Sequence, residues 1–144
     1  LGRRGYSSSS RSSTHGMEKL DAETMRRKND ETMLMLQIES QKGMDNLSDI
    51  VEMNGIDALF LGLGDLSQDL GIPTQLEKPI IENTVRTFCS TVRKAGKIGA
   101  TFASNPATIG RYIELGMQII TCAVDIVLFG NALQRLIREL RKPA

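Results

Sequence analysis

The sequence predicts an α/β fold made of parallel strands that alternate with helices. Three observations predict it: short apolar segments recur along the chain, longer amphipathic segments lie between them, and glycine or proline stands where the amphipathic segments end. Strands that alternate with helices form a parallel sheet covered by helices. We therefore expect a Ser/Arg-rich loop and a short helix over residues 1–30, followed by strand–helix units over residues 31–144.

Four segments have the composition of strands. They cover residues 33–38, 57–62, 97–102 and 117–124. The last of them is apolar at almost every position, which is typical of a parallel strand covered on both faces.

The segments between the strands have helical spacing. Helices are predicted over residues 17–30, 42–53, 65–70, 77–95 and 125–141, and one more follows a cap at Ser104 or Asn105. Gly71, Gly96 and Gly116 mark the ends of three of these helices, because glycine readily adopts the left-handed backbone found there.

Four strand–helix units form either an open sheet or part of a closed barrel of the TIM type. A complete eight-stranded barrel takes about 250 residues. A chain of 144 residues holds little more than half of it, so we expect the N-terminal half of the barrel to be absent from this sequence. The chain also begins without Met, which we interpret as a sign that another segment precedes Leu1 in the parent protein.

Composition excludes several functional classes. Hydrophobic residues make up 40% and charged residues 24% of the chain, and the net charge of +1 is too balanced for binding to nucleic acid or an acidic membrane. The longest apolar stretch, residues 117–130, contains Asp125 and is too short to span a membrane. Cys89 and Cys122 form no metal or disulfide pattern, which is typical of a reducing compartment such as the cytoplasm.

Two acidic residues stand at the ends of neighbouring predicted strands. Glu39 ends the first strand, and Asp65 follows the second. The carboxyl ends of adjacent parallel strands meet at one edge of a sheet, where α/β folds bind ligands. We expect two buried carboxylates there, sharing a hard divalent cation. Gln37 points to the same side of its strand as Glu39, where a metal-bound water would satisfy its amide.

Simpler interpretations of these residues remain open. An acid at the end of a strand is often a helix N-cap, and Asp65 fits that role before Leu66. The glycine-bearing turn 62–65 suits a carboxylate or phosphate, although such turns are common in α/β proteins. His15, the single histidine, lies in the Ser-rich segment, where a solvent or packing role is favoured over catalysis.

Two stretches of the chain resemble a known family. Residues 36–40 read Leu-Gln-Ile-Glu-Ser, and residues 57–67 read Asp-Ala-Leu-Phe-Leu-Gly-Leu-Gly-Asp-Leu-Ser. They are similar to the two signature strands of the HpcH/HpaI aldolases, which are class II pyruvate aldolases. Further similarity lies in residues 2–5 with Ser10 and Arg11, in residues 95–97 and 111–116, and at Val124 and Asp125.

The resemblance implies reversible aldol cleavage of a 4-hydroxy-2-oxo acid to pyruvate and an aldehyde. Glu39 and Asp65 match the family's metal-binding carboxylates, which hold Mg²⁺, Mn²⁺ or a similar ion, and Gln37 matches the glutamine that supports the metal-bound water. The backbone N–H groups of Gly64 and Asp65 match those that take the pyruvate carboxylate. Phe102 falls beside the aldehyde pocket. The metal acts as a Lewis acid, without a Schiff-base lysine.

The sequence also departs from the family. Leu63 stands where the family's turn usually has Pro, and Gly64 where it often has Ala. The family's base histidine and its substrate-polarising arginine have no counterpart here, so we expect little activity from this chain alone. Half a barrel leaves two open sheet edges, which predicts a homo-oligomer. A non-catalytic interaction module and an anion-binding α/β domain are the alternatives.

Overall fold

The computed structural model describes residues 7, 9–17 and 21–141. The chain falls into two compact units that divide between Met33 and Leu34. Residues 2–5, part of the resemblance noted above, lie outside the described residues. No helix in the described part of the chain is long and apolar enough to cross a membrane.

The first unit contains a short 3-10 helix in the Ser/Arg-rich segment. It spans Arg11–Gly16, where the sequence predicts a loop. The backbone N–H of His15 donates to the carbonyl oxygen of Ser10 at 3.0 Å. His15 itself has a positive φ of 55° and is exposed.

An α-helix, α1, completes the first unit and spans Ala22–Glu31. Asp21 caps it, because its carboxylate accepts a hydrogen bond of 2.9 Å from the backbone N–H of Thr24. This hydrogen bond lowers the pKa of the Asp21 carboxyl. The helix therefore begins later than the predicted start at residue 17; residues 18–20 lie outside the described residues.

The second unit contains a single parallel sheet whose four strands lie in chain order. The strands are β1 (Met35–Ile38), β2 (Ala58–Leu61), β3 (Ile98–Phe102) and β4 (Ile119–Thr121). This topology confirms the predicted α/β class. Each strand is shorter than predicted, because only residues that pair with a neighbouring strand belong to the ladder.

Six helices lie between and after these strands. They are α2 (Gln41–Asp45), α3 (Leu47–Val51), α4 (Leu63–Asp69), α5 (Pro79–Lys94), α6 (Pro106–Glu114) and α7 (Asp125–Leu140). Asn105 caps α6 by accepting hydrogen bonds from the N–H groups of Ala107 and Thr108, which confirms one of the two predicted caps.

The single helix predicted over residues 42–53 is two short helices. Asn46 ends α2 and begins α3. Its side-chain amide donates to the carbonyl oxygen of Lys42 at 2.7 Å. An asparagine side chain that bonds to the local backbone competes with the helical hydrogen-bond pattern, which explains the break.

The core lies between the sheet and helices α3, α4 and α5. Its most deeply buried side chains come from β2, α4 and α5: Leu59, Leu61, Leu66, Ile81, Val85, Phe88 and Val92. A Cβ atom added to Gly99 in β3 would contact Phe88 and Val92. The face of the sheet that bears Leu59, Leu61 and Gly99 therefore packs against α5.

Ion pairs join α5 to α6 at the surface. Glu82 in α5 accepts from the guanidinium of Arg111 in α6 and lies 2.7 Å from a guanidinium nitrogen of Arg86. The hydrogen bond from Arg111 is the largest influence that lowers the pKa of the Glu82 carboxyl. Nearby, burial raises the pKa of the Tyr112 hydroxyl.

The C-terminal strand and helix are more exposed than the sequence predicts. Strand β4 has three residues, of which Thr121 is exposed and two are half-buried, so the prediction of a strand covered on both faces is wrong. Two reasons account for this: β4 pairs only with β3, and the helix that follows it, α7, buries no residue.

Candidate functional site at the carboxyl edge of the sheet

The candidate site lies where β1 and β2 end side by side. These strands pair in parallel with Gln37 opposite Phe60 and Ile38 opposite Leu61. The next position in this register places Glu39 beside Gly62. The backbone N–H of Gly62 donates to the carbonyl oxygen of Ile38 at 2.9 Å. Glu39 and the turn that carries Asp65 therefore lie at one edge of the sheet, as predicted.

Gln37 and Glu39 are in direct contact. The side-chain amide nitrogen of Gln37 donates to a carboxylate oxygen of Glu39 at 2.6 Å. Hydrogen bonds to a charged acceptor are short and strong, so Gln37 restrains the orientation of the carboxylate. The polar side chain of Gln37 thus has a protein partner, the carboxylate of Glu39. The sequence did not predict this contact.

Both candidate carboxylates are exposed, so the prediction of buried acids is wrong. The reason lies in the two faces of the sheet. Residues on the helix side, such as Leu59 and Thr101, are fully buried. On the opposite face, which carries Gln37 and Glu39, Phe60 is half-buried and Phe102 is 42% exposed. Glu39 belongs to this more open face, whereas Asp65 lies in the first turn of α4.

Helix α4 begins earlier than predicted, and this changes the position of Asp65. Gly62 precedes the first helical residue, so Gly62 rather than Asp65 is the N-cap. Asp65 lies in the first turn, where a carboxylate interacts favourably with the helix dipole. The N–H of Leu66 donates to the carbonyl oxygen of Gly62 at 3.0 Å. The N–H groups of Gly64 and Asp65 precede it and have no acceptor within the helix.

Two residues that the sequence reasoning did not single out support this turn. A carboxylate oxygen of Asp69 in α4 accepts from the backbone N–H of Gln41 at 2.7 Å, which ties α4 to the segment that follows Glu39. The hydroxyl of Ser67, fully buried, donates to the carbonyl oxygen of Gly64 at 2.7 Å. Asp69 and Gln41 lie 28 residues apart, and no sequence pattern links them.

Phe102 and His15 belong to different units of the structure. Phe102 is the last residue of β3, so it lies at the same carboxyl edge, two strands away from Glu39. His15 belongs to the first unit. Within the described residues, no group of three or more His, Cys, Asp or Glu side chains is placed to hold a metal ion.

Parallel strands that alternate with helices, with polar groups gathered at the carboxyl edge, define an α/β protein of the class that binds its ligands at that edge. The model of one family, HpcH/HpaI aldolase/citrate lyase, matches residues 13–132. The chain belongs to this family.

Curated relatives with related names match about three quarters of this chain. A 2-keto-3-deoxy-L-rhamnonate aldolase from Klebsiella pneumoniae is 35% identical over 107 residues, which are 74% of this chain and 40% of that protein. A 4-hydroxy-2-oxo-heptane-1,7-dioate aldolase from Salmonella arizonae is 32% identical over 108 residues, 75% of this chain and 41% of that protein. The chain thus spans about two fifths of the length of these relatives.

Solved structures agree with the fold. An HpcH/HpaI aldolase from Desulfitobacterium hafniense superimposes with a TM-score of 0.85 at 26% identity and covers 100% of this chain and 55% of that one. A family member from Burkholderia cenocepacia superimposes with a TM-score of 0.84 at 27% identity, and the match covers 98% of this chain and 54% of that one.

Proposed function

We propose that this chain supplies the metal-binding part of an enzyme that cleaves and forms 4-hydroxy-2-oxo acids, with pyruvate and an aldehyde as the other reactants. The observation that carries this proposal is the hydrogen bond of 2.6 Å between Gln37 and Glu39, at the sheet edge shared with the turn of Asp65. This hydrogen bond orients the Glu39 carboxylate at the carboxyl edge of the sheet, where barrel enzymes bind their ligands.

The residue types at this edge fit a hard divalent cation such as Mg²⁺ or Mn²⁺. Glu39 and Asp65 offer carboxylate oxygens from neighbouring strand ends. Magnesium is commonly bound by one or two carboxylates, and water or substrate oxygens complete its shell. Two protein ligands are therefore enough. When bound, such an ion supplies Lewis acidity toward the keto oxygen of the pyruvate unit.

The remaining residues of the site bind and orient the substrate in this proposal. The N–H groups of Gly64 and Asp65, in the first turn of α4, donate to the carboxylate of pyruvate. Phe102, partly exposed at the end of β3, lies beside the aldehyde. Gln37 holds the carboxylate of Glu39 in one orientation through its amide.

Turnover by this chain alone is expected to be very low. It spans about 40% of the curated relatives that it matches. In the sequence, no residue matches the family's general base or its substrate-polarising arginine. We propose that a complete enzyme in the cytoplasm, as a homo-oligomer, combines this edge with the groups that transfer the proton.

Calorimetric titration with Mn²⁺, with and without pyruvate, tests the proposal. We expect saturable binding that Glu39→Gln weakens by at least tenfold, because the variant removes a charged ligand. The matched control is Glu52→Gln, which neutralises another exposed acid, at the end of α3 on the side of the sheet where β2 begins. Absence of Mn²⁺ binding in a folded sample would contradict metal dependence, as would equal loss in both variants.

The second candidate function is a non-catalytic module that binds a partner or an anion. It is favoured by the glycine-bearing turn at the start of α4, where the N–H groups of Gly64 and Asp65 can donate to an anion without a metal. In that case pyruvate or inorganic phosphate would bind at the start of α4 equally well with and without Mn²⁺. The same titration separates the two candidates, because the aldolase proposal requires the metal to strengthen pyruvate binding.

A further inference from the structure

A glycine at the end of β2 occupies a position where the backbone does not require glycine. Gly62 is buried and has φ −85° and ψ 80°. This conformation lies close to that of the common inverse γ-turn, which residues with side chains adopt. A reason for glycine at this position must therefore come from its surroundings.

The surroundings of Gly62 leave no room for a side chain. A Cβ atom on Gly62 would lie 2.9 Å from the amide nitrogen of Gln37 and 3.0 Å from Cβ of Glu39. Non-bonded heavy atoms pack best at about 3.5–4.0 Å. The backbone of Gly62 cannot easily retreat, because its N–H donates to the carbonyl oxygen of Ile38 at 2.9 Å.

The two groups that meet this Cβ differ in how easily they move. Glu39 Cβ is bound to the backbone, whereas the amide of Gln37 is the far end of a flexible side chain. The amide would therefore move first. Its displacement would break the hydrogen bond of 2.6 Å to the Glu39 carboxylate and free that carboxylate to adopt other rotamers.

We propose that Gly62 is a positioning residue for Glu39. The absence of a side chain at Gly62 leaves the space in which the Gln37 amide reaches the Glu39 carboxylate. The inference rests on the proposed function for its effect on metal binding, whereas the location of the Gln37 amide can be measured without any metal. Gly62 acts through its neighbours Gln37 and Glu39.

The first test is Mn²⁺ binding by Gly62→Ala, measured by calorimetry on the full chain. Loss of a group that orients a ligand commonly weakens metal binding 10- to 100-fold, and we expect roughly a tenfold loss here. Gly110→Ala is the matched control, because a Cβ atom on this glycine in α6 meets no atom within 4 Å. It should bind Mn²⁺ as the unchanged chain does.

A double-variant cycle separates positioning from general damage to the fold. In a Gln37→Ala background the amide is absent, so Gly62→Ala should weaken Mn²⁺ binding by less than threefold. Effects that act through one shared contact are non-additive in this way. A tenfold loss in both backgrounds would mean that Gly62 acts independently of Gln37, and would overturn the inference. If Gly62→Ala does not fold, the double variant should fold; its failure would have the same meaning.

Metal-free NMR distinguishes failure of this inference from failure of the proposed function. The side-chain amide signals of Gln37 are assigned by their absence in Gln37→Ala. They should shift in Gly62→Ala and stay unchanged in Gly110→Ala. If the unchanged chain binds no Mn²⁺, the proposed function fails and the NMR result alone decides the inference. Unmoved Gln37 signals overturn it, whatever the metal titration shows.

Discussion

Helices α5 and α7 have the same length, 16 residues, and opposite environments. Helix α5 buries five side chains: Ile81, Val85, Phe88, Cys89 and Val92. Helix α7 buries none. Its apolar side chains are exposed to solvent: Phe129 is 70% exposed and Leu140 is 76% exposed. An amphipathic pattern thus shows that a helix has an apolar face, but does not show what covers that face.

The difference follows from where each helix joins the sheet. Helix α5 connects β2 to β3 and packs on both of these paired strands. Helix α7 follows β4, which pairs with one strand only. Contiguous exposed apolar patches on soluble proteins commonly mark association sites. The two helices therefore predict different responses to substitution.

The largest expected difference is in stability. Phe88→Ala in α5 should lower the free energy of unfolding by about 3–5 kcal/mol, because Phe88 is fully buried and its removal leaves a cavity. Phe129→Ala in α7 should change it by less than about 0.5 kcal/mol, as is usual for surface positions. Urea denaturation followed by circular dichroism measures both. Equal losses would show that α7 is packed as tightly as α5.

Association should depend on α7 and on the open edges of the sheet. We expect the chain to form concentration-dependent oligomers in sedimentation velocity experiments. Leu136→Lys, at a side chain that is 51% exposed, should reduce association while preserving the fold. Asn131→Lys adds the same charge to an exposed polar position of the same helix and serves as the control. A monodisperse monomer at all concentrations would contradict this prediction.

The smallest expected effect is electrostatic and concerns the ion pairs that Glu82 forms with Arg86 in α5 and with Arg111 in α6. The pKa of Glu82 is lowered from 4.5, first by the hydrogen bond from Arg111. A depressed pKa stabilises the folded state above pH 4.5, and this contribution is lost as the pH falls through the folded value. Glu82→Gln should therefore slightly lower the urea midpoint at pH 7 and leave it unchanged well below the folded pKa. In an Arg111→Gln background the difference at pH 7 should shrink.

Much of the fold could be predicted because hydrophobic periodicity is local. The positions of β2 and α5 follow from apolar runs and from a glycine, Gly96, whose φ of 68° ends the helix as expected. The break at Asn46 was missed, because a side chain that bonds to Lys42 competes with a strong helical pattern. The exposure of α7 was missed because periodicity carries no information about partners.

The candidate site was predictable in its location and less so in its contacts. Glu39 and Asp65 lie at neighbouring strand ends because a strand–helix–strand unit brings these ends together. Their exposure depends on what covers the open face of the sheet. Asp69 supports the turn at the start of α4 by accepting a hydrogen bond from the backbone N–H of Gln41. These two residues are distant in sequence, so no local pattern predicts the contact.

The sequence by itself determined the alternation of strands and helices, the parallel sheet and the edge of the sheet at which both acids lie. These follow from the spacing of apolar residues and the rule of right-handed crossovers. Only the tertiary structure decided that Gln37 bonds to Glu39 and that Gly62 leaves the space for this bond. Such contacts depend on distances between adjacent strands, and these distances exist only after the strands have paired.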